Sequence, residues 1–487
     1  MRTDPGTAVA APPPPRTSRR PLRFLIHTFS ATGHVLPAQA VAQELVRRGH
    51  SVVWATAPAQ RARVAASGAR FVPTRRCAAV DARMERPVAE EATTPDDGAA
   101  ARQLFAGRVE AQVADLRDAL QALSAEDDWR PDYVLNDAMP HGVAALAELG
   151  ELPPTYATLG VVPLYIPDVM GDGRPVAHPA RSTFGALLST PRLALPVVNP
   201  QRAALGLPPL GERDAFAYSP ALHLQASCPS LEHCAPPPAE QPPALFPGAA
   251  RQPRVHFVGP LVPRPLPPAS SGSSSSSSSN SPSLSGDLPA WWGEMCAHGC
   301  VVGVTQGTYA VDPTALIVPA VRALRGGRVL VVVVHGSADE VLRAVEESDG
   351  DGGGRLDNVR AAPWIPYDLL LPRCRALVTN GGYGSVTQAL AHGVPLVCAG
   401  ASEDKPDTAA RVVAVGAGVD LGTDRPSVEQ VRDAVREVIE GSSYRERAAA
   451  IAKELNSLGG AAGACDLLVE AAEELVGDGR DAMVEGK

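Results

Sequence analysis

Between Trp364 and Lys405 the chain carries, in order, an aromatic plate, a glycine-rich turn and a charged triplet, groups that suit a base, a phosphate and a sugar. Trp364 stands just before Ile365-Pro-Tyr367 at the end of an extended segment, where an indole face can stack on a flat base. Ala376-Leu-Val-Thr379 reads as a buried strand that delivers the chain into Asn380-Gly-Gly-Tyr-Gly-Ser385. Gly381, Gly382 and Gly384 have no β-carbon, so a phosphate can approach the backbone closely. Ser385 and Val386 are expected to open a helix whose free N–H groups and positive dipole end would meet that phosphate. After a further strand, Val394 to Ala399, the residues Glu403, Asp404 and Lys405 offer charged hydrogen-bonding groups for sugar hydroxyls.

A second place for chemistry lies near the start. Leu22 to Phe29 reads as an apolar strand, Ser30-Ala-Thr-Gly-His34 follows, and Pro37 suits the first turn of a helix with Ala38, Val41, Ala42, Leu45 and Val46 on one face. Gly49 stops that helix and Ser51 to Thr56 starts a second strand, a β-α-β opening that makes the end of the first strand a ligand crevice. A lone His34 here reads as a polar residue flanking a helix, although a helix N-terminus favours the neutral imidazole that a general base needs. Pro131-Asp-Tyr-Val-Leu-Asn-Asp137 is a buried strand ending in a carboxylate, with a helix expected from about Gly142 to Leu149. On its own Asp137 is equally a turn or N-cap residue.

The elements that must position these groups follow an alternating strand-and-helix pattern in both halves. Phe71-Val-Pro, Thr155-Tyr-Ala-Thr and Val255-His-Phe-Val complete the strands of the first half, and Gly107 to Leu123 has helical spacing. Cys300 to Thr305, Arg328 to His335 and Asn358 to Ala362 are strands of the second half, with helices at Pro313 to Leu324, Ser427 to Glu440, Tyr444 to Leu455 and about Ala461 to Val476. Between the halves lies a Pro-rich stretch with seven consecutive serines at 273–279, which has too few apolar groups to build a core. The expected organisation is a disordered tail at 1–20, one domain at 21–262, a linker at 263–287, a second domain at 288–477 and a tail at 478–487.

The totals narrow the function classes. The chain of 487 residues is long enough for two full cores, and 45% hydrophobic with 20% charged residues is an ordinary globular composition. A net charge of −9 with no basic block argues against nucleic acid or an anionic membrane as the main partner. The longest apolar run, Val329 to Val334, is short and β-branched, so it reads as a buried strand, and no signal peptide is evident; the expected location is the cytoplasm. Cysteines are scattered, and Cys296-Ala-His-Gly-Cys300 lacks the paired spacing of a metal site. Asp349-Gly-Asp351 reads as part of an exposed glycine-rich loop. No metal and no cofactor are expected.

Trp364-Ile-Pro-Tyr367, Asn380-Gly-Gly-Tyr-Gly-Ser385, Gln388 and Asp404-Lys405 together resemble the donor-binding signature of inverting family 1 glycosyltransferases. In that family two Rossmann-like domains face each other across a cleft (the GT-B fold, α/β), and the last helix crosses back to the N-terminal domain. The resemblance implies that Trp364 stacks on the nucleobase, that Ser385 and the Gly382–Gly384 backbone hold the diphosphate with Thr308 beside it, that Gln388 faces the ribose, that Asp404 and Lys405 face the sugar, and that Ile365 and Gly33 also belong to the donor site. Asn380 stands where the family has His, Gln388 where it has Glu, and Tyr367 and Lys405 where it has Gln. Gly33-His34, with a proline three residues on, resembles the catalytic-base segment, and Asp137 matches the family's aspartate that bonds the base, with Asn136 as the alternative.

The reaction implied is transfer of a sugar, glucose first, from a uridine diphosphate sugar, with thymidine diphosphate as the alternative, to a hydroxyl of a small lipophilic compound. Met84, Phe105, Met139 and Tyr165 are expected along the acceptor wall, although each is as readily a core residue. The competing readings are a nucleotide-sugar epimerase of the same fold, which leaves Gly33-His34 with Asp137 unexplained, and a non-catalytic nucleotide-sugar-binding subunit. A monomer or weak dimer is expected.

Overall fold

The computed structural model describes residues 20–84, 106–137, 141–165, 182, 191–211, 219, 221–232, 254–264, 288–307, 312–349 and 356–485. Nearly all of the expected N-terminal tail and of the linker, together with Thr308, Phe105 and Met139, lie outside the described residues.

Two parallel sheets organise the chain. The first holds β1 (Arg23–His27), β2 (Ser51–Thr56), β3 (Arg70–Pro73), β4 (Tyr133–Asp137), β5 (Ala157–Gly160), β6 (Leu222–Gln225) and β7 (Arg254–Phe257) in the spatial order β3-β2-β1-β4-β5-β6-β7. The second holds β8 (Val301–Thr305), β9 (Leu330–Val334), β10 (Val359–Ala362), β11 (Cys374–Thr379), β12 (Leu396–Cys398) and β13 (Gly418–Asp420) in the order β10-β9-β8-β11-β12-β13. Both are doubly wound. In each, strand order reverses beside the first strand, between β1 and β4 and between β8 and β11, and a crevice opens there at the carboxyl ends of the strands. Register brings His27 beside Asn136 in one sheet and Thr305 beside Thr379 in the other. The residues that follow these four positions therefore share the two crevices.

Parallel strands buried on both faces need unbroken apolar runs, and Leu-Val-Val-Val-Val at β9 supplies one. Helices cover both faces. Thr32–Arg47 buries Val35, Ala38, Val41 and Leu45 against β1, β2 and their neighbours. Val428–Glu440 is opened by a capping box in which Ser427 and Gln430 bond each other's backbone N–H groups.

The last helix, Gly460–Glu485, crosses back as expected: Ala464, Cys465, Leu468 and Ala472 are buried among Phe24, Val41, Leu45 and other residues of the N-terminal core. It also runs on past Val476, so the tail expected from 478 is helix as far as Glu485. The two chain crossings between domains lie side by side. Gly460 N–H donates to Val258 O at 2.7 Å, and a β-carbon on Gly259 would sit 2.4 Å from the Leu455 carbonyl oxygen, so only glycine fits there.

Other boundaries shifted modestly. The helix after β1 begins at Thr32, which places Pro37 in its second turn. The donor-loop helix begins at Tyr383, two residues before Ser385. Strand β5 starts at Ala157, two residues past Thr155, and the helix expected from Pro313 starts at Ile317.

Candidate active site

His34 occupies the first turn of Thr32–Arg47, immediately beyond the crevice end of β1. Its Nδ1 lies 3.1 Å from Asp137 Oδ2, and Asp137 closes β4, the strand beside β1. The same carboxylate oxygen accepts the Phe29 N–H at 2.7 Å. In the tautomer whose Nδ1–H donates to this carboxylate, Nε2 carries the lone pair. The Phe29 ring meets the imidazole edge-on at 5.2 Å and the Arg108 guanidinium stacks on that ring at 4.5 Å from its centroid, which fixes the His34 plane. Asn136, the alternative partner, is taken elsewhere: its Oδ1 lies 2.6 Å from His27 Nδ1.

On the facing domain, Gly381 takes φ +83°, a backbone form that suits glycine, and turns the chain from β11 into the helix Tyr383–Ala391. Gly382 is its N-cap, and its carbonyl accepts the Ser385 and Val386 N–H groups, so the first N–H groups of the helix face outward without intrahelical acceptors. Around Gly384 there is open space where a β-carbon would stand. Tyr367 approaches this loop from below: its hydroxyl lies 3.1 Å from Thr305 Oγ1 and 3.3 Å from Ser385 Oγ. Gln388 Nε2 donates to Gly384 O at 3.1 Å. Among the described residues, Trp364 Nε1 and Asn380 Oδ1 are buried with no hydrogen-bond partner. Such orphaned polar atoms suit a site that a ligand completes.

Asp404 stands at the N-cap position of the helix Lys405–Ala414, without a side-chain capping bond. Burial pushes its carboxyl up to about 6, partly offset by His34 and Arg411.

Not every expected residue reaches the site. Lys405 is buried and its ammonium is committed to Glu403 and to Ser402 Oγ, with burial lowering it to about 8. The Ile365 side chain is 1% exposed and packs in the core, so only its backbone can meet a base. Tyr165 does not line an open acceptor wall: it is buried and its hydroxyl donates to Asp407 Oδ2 at 2.8 Å, in the other domain. Met84 ends the helix Arg75–Met84, and its side chain is outside the described set. The sequence reading also passed over a buried polar group between the domains, built on Gln225, Glu232, Tyr383 and Arg411. A buried glutamate leaves no periodic signal in the residues around it.

Residues 329–463 match the family described as Erythromycin biosynthesis protein CIII-like, C-terminal domain. Over 92% of its own length and 98% of the relative's, the chain is 34% identical to 4'-demethylrebeccamycin synthase of Lentzea aerocolonigenes. The chain belongs to the family 1 glycosyltransferases. This glycosyltransferase is also 29% identical to UDP-glucosyltransferase B1 of Starmerella bombicola, over 87% of this chain and 92% of that one. Its GT-B fold superposes on the calicheamicin glycosyltransferase CalG4 with a TM-score of 0.65 at 25% identity, covering 93% of this chain and 99% of the other. The glycosyltransferase is an enzyme of the hexosyltransferase type. Among the described residues no helix is long and apolar enough to cross a membrane.

Proposed function

We propose that the enzyme transfers glucose from uridine diphosphate glucose to a hydroxyl of a small, lipophilic acceptor with inversion at the anomeric carbon. The observation that carries this reading is the His34–Asp137 pair, 3.1 Å apart at one crevice, with the glycine turn and the N-terminus of Tyr383–Ala391 on the other domain. Nε2 of His34 takes the acceptor proton as the oxygen attacks the anomeric carbon; the new C–O bond forms as the bond to the diphosphate oxygen breaks. Asp137 stabilises the imidazolium that results, and the Phe29 N–H keeps the carboxylate in place. Charge leaving on the diphosphate meets the N-terminus of Tyr383–Ala391 and the Ser385 hydroxyl, which the Tyr367 hydroxyl orients.

We read the reaction as metal-independent, because a helix end and hydroxyls stand where the leaving charge develops. Trp364 serves the base and the Gln388 amide oxygen the ribose. The uridine nucleotide is favoured by a full-length relative named as a UDP-glucosyltransferase. Thermal unfolding with uridine diphosphate, thymidine diphosphate and NAD in the presence of a chelator tests the donor site, since a ligand that binds only the native state raises the midpoint. A shift with uridine diphosphate is the expected result. A shift with thymidine diphosphate alone would replace the nucleotide, and a shift with NAD alone would overturn the reading.

A further inference from the structure

Glu232 ends the short helix Pro229–Glu232 in the N-terminal domain, and its side chain is 0% exposed. Both of its oxygens are used across the cleft. Oε1 accepts the Tyr383 hydroxyl at 2.6 Å, and Tyr383 is the first residue of the helix whose N-terminus faces the diphosphate. Oε2 accepts Arg411 Nε at 2.9 Å, and Arg411 lies on the helix that follows Asp404. The rest of the group fixes these two arms. Gln225 Nε2 donates to the Tyr383 hydroxyl at 2.6 Å and to Val162 O at 2.8 Å. Oε2 of Glu232 also accepts the Leu164 N–H at 2.9 Å, while Arg411 donates to Leu164 O at 2.9 Å.

We propose that Glu232 is a positioning residue for sugar transfer: it ties the diphosphate helix and the sugar-side helix to the domain that carries His34, and so sets the height of the donor over the base. A buried ion pair is a poor source of net stability compared with apolar packing. What it does supply is direction, because each bond has a narrow angular range. Here the two oxygens of one carboxylate address two different donor-holding elements. Displacement of a reacting group by about 1 Å costs roughly 10²-fold in rate, so a joint of this kind acts on turnover before it acts on binding.

This inference rests on the donor and base assignments of the preceding subsection, and the test separates the two. Glu232→Gln keeps the shape but loses the charge and one acceptor; Tyr383→Phe removes one arm alone. Measured with UDP-glucose and 4-methylumbelliferone, kcat is expected to fall roughly 30- to 100-fold in Glu232→Gln and about tenfold in Tyr383→Phe. The donor KM and the uridine diphosphate affinity measured by calorimetry should change less than about threefold, because the nucleotide sits on the C-terminal domain. Small-angle scattering should show a larger radius of gyration in Glu232→Gln. Unchanged kcat in both variants, with only a lowered unfolding midpoint, would reduce the group to a structural role and overturn the proposal. If neither uridine diphosphate nor thymidine diphosphate binds the wild-type enzyme in calorimetry, the donor reading fails instead. An unchanged radius of gyration in both variants would then overturn the positioning role independently.

Discussion

Asp137 is anchored before any substrate arrives, because the Phe29 N–H and the His34 imidazole share one of its oxygens. Asp137→Asn keeps that shape and removes the charge that stabilises an imidazolium. Its kcat should fall by roughly 10²-fold, and that of His34→Ala by roughly 10²- to 10⁴-fold, with nucleotide affinity unchanged in both; steady-state kinetics beside calorimetry check the split. Asp404 makes a prediction about pH. Its folded-state value, about 6, stands above the ordinary 3.8. The folded chain therefore holds this proton more tightly than the unfolded one, and the associated stability is lost as pH rises through about 6. Asp404→Asn should unfold about 2–4 °C higher than wild type at pH 8, with a smaller gain at pH 5, while transfer falls. The pairing of His34 with Asp137 came from the family resemblance, since each alone read as a helix-flanking or turn residue; the structure places the two side chains 3.1 Å apart at the ends of neighbouring strands. Tyr165 was misjudged because its partner is set by packing: Asp407 is distant from it in sequence and lies in the other domain.

Among the elements, the helix Tyr383–Ala391 separates folding from function. Alanine is a better helix residue than glycine by up to about 1 kcal/mol, and nothing in the protein lies within 4 Å of a β-carbon placed on Gly384. Gly384→Ala should hold or raise the unfolding midpoint while weakening uridine diphosphate about tenfold or more, as calorimetry would register. The strand before this helix was readable from its apolar run and the turn from its glycines. The strand Leu222–Gln225 and the helix Ala338–Asp349 were not picked out. The first is a four-residue alternation, Leu-His-Leu-Gln, too short to stand out although all four side chains are buried. The second repeats Val341, Leu342 and Val345 at helical spacing beside a glycine-rich stretch, and the stretch dominated the reading.

At the scale of the molecule, both domains take the same doubly wound plan, which the alternation of strands and helices had announced. The interdomain joint could not be read that way, since Gln225, Glu232, Tyr383 and Arg411 share no local pattern. Leu468 tests the crossing helix: it is fully buried against the N-terminal core, so Leu468→Ala should cost about 2–5 kcal/mol in denaturant unfolding with little change in uridine diphosphate affinity of the folded enzyme.

The helix Gly460–Glu485 also bears on how enzymes of this kind can be recombined. By sequence position it belongs to the donor half, but the side chains it buries are complementary to the other half, around Phe24, Val41 and Leu45. A chimaera that joins this acceptor half to a foreign donor half at the linker alone would present its first core with a stranger's helix. Placing a second junction near Leu458, so that residues 460–485 travel with residues 20–262, keeps these matched surfaces together and leaves the interdomain contacts at Glu232, Tyr165 and Gly259 to be matched anew.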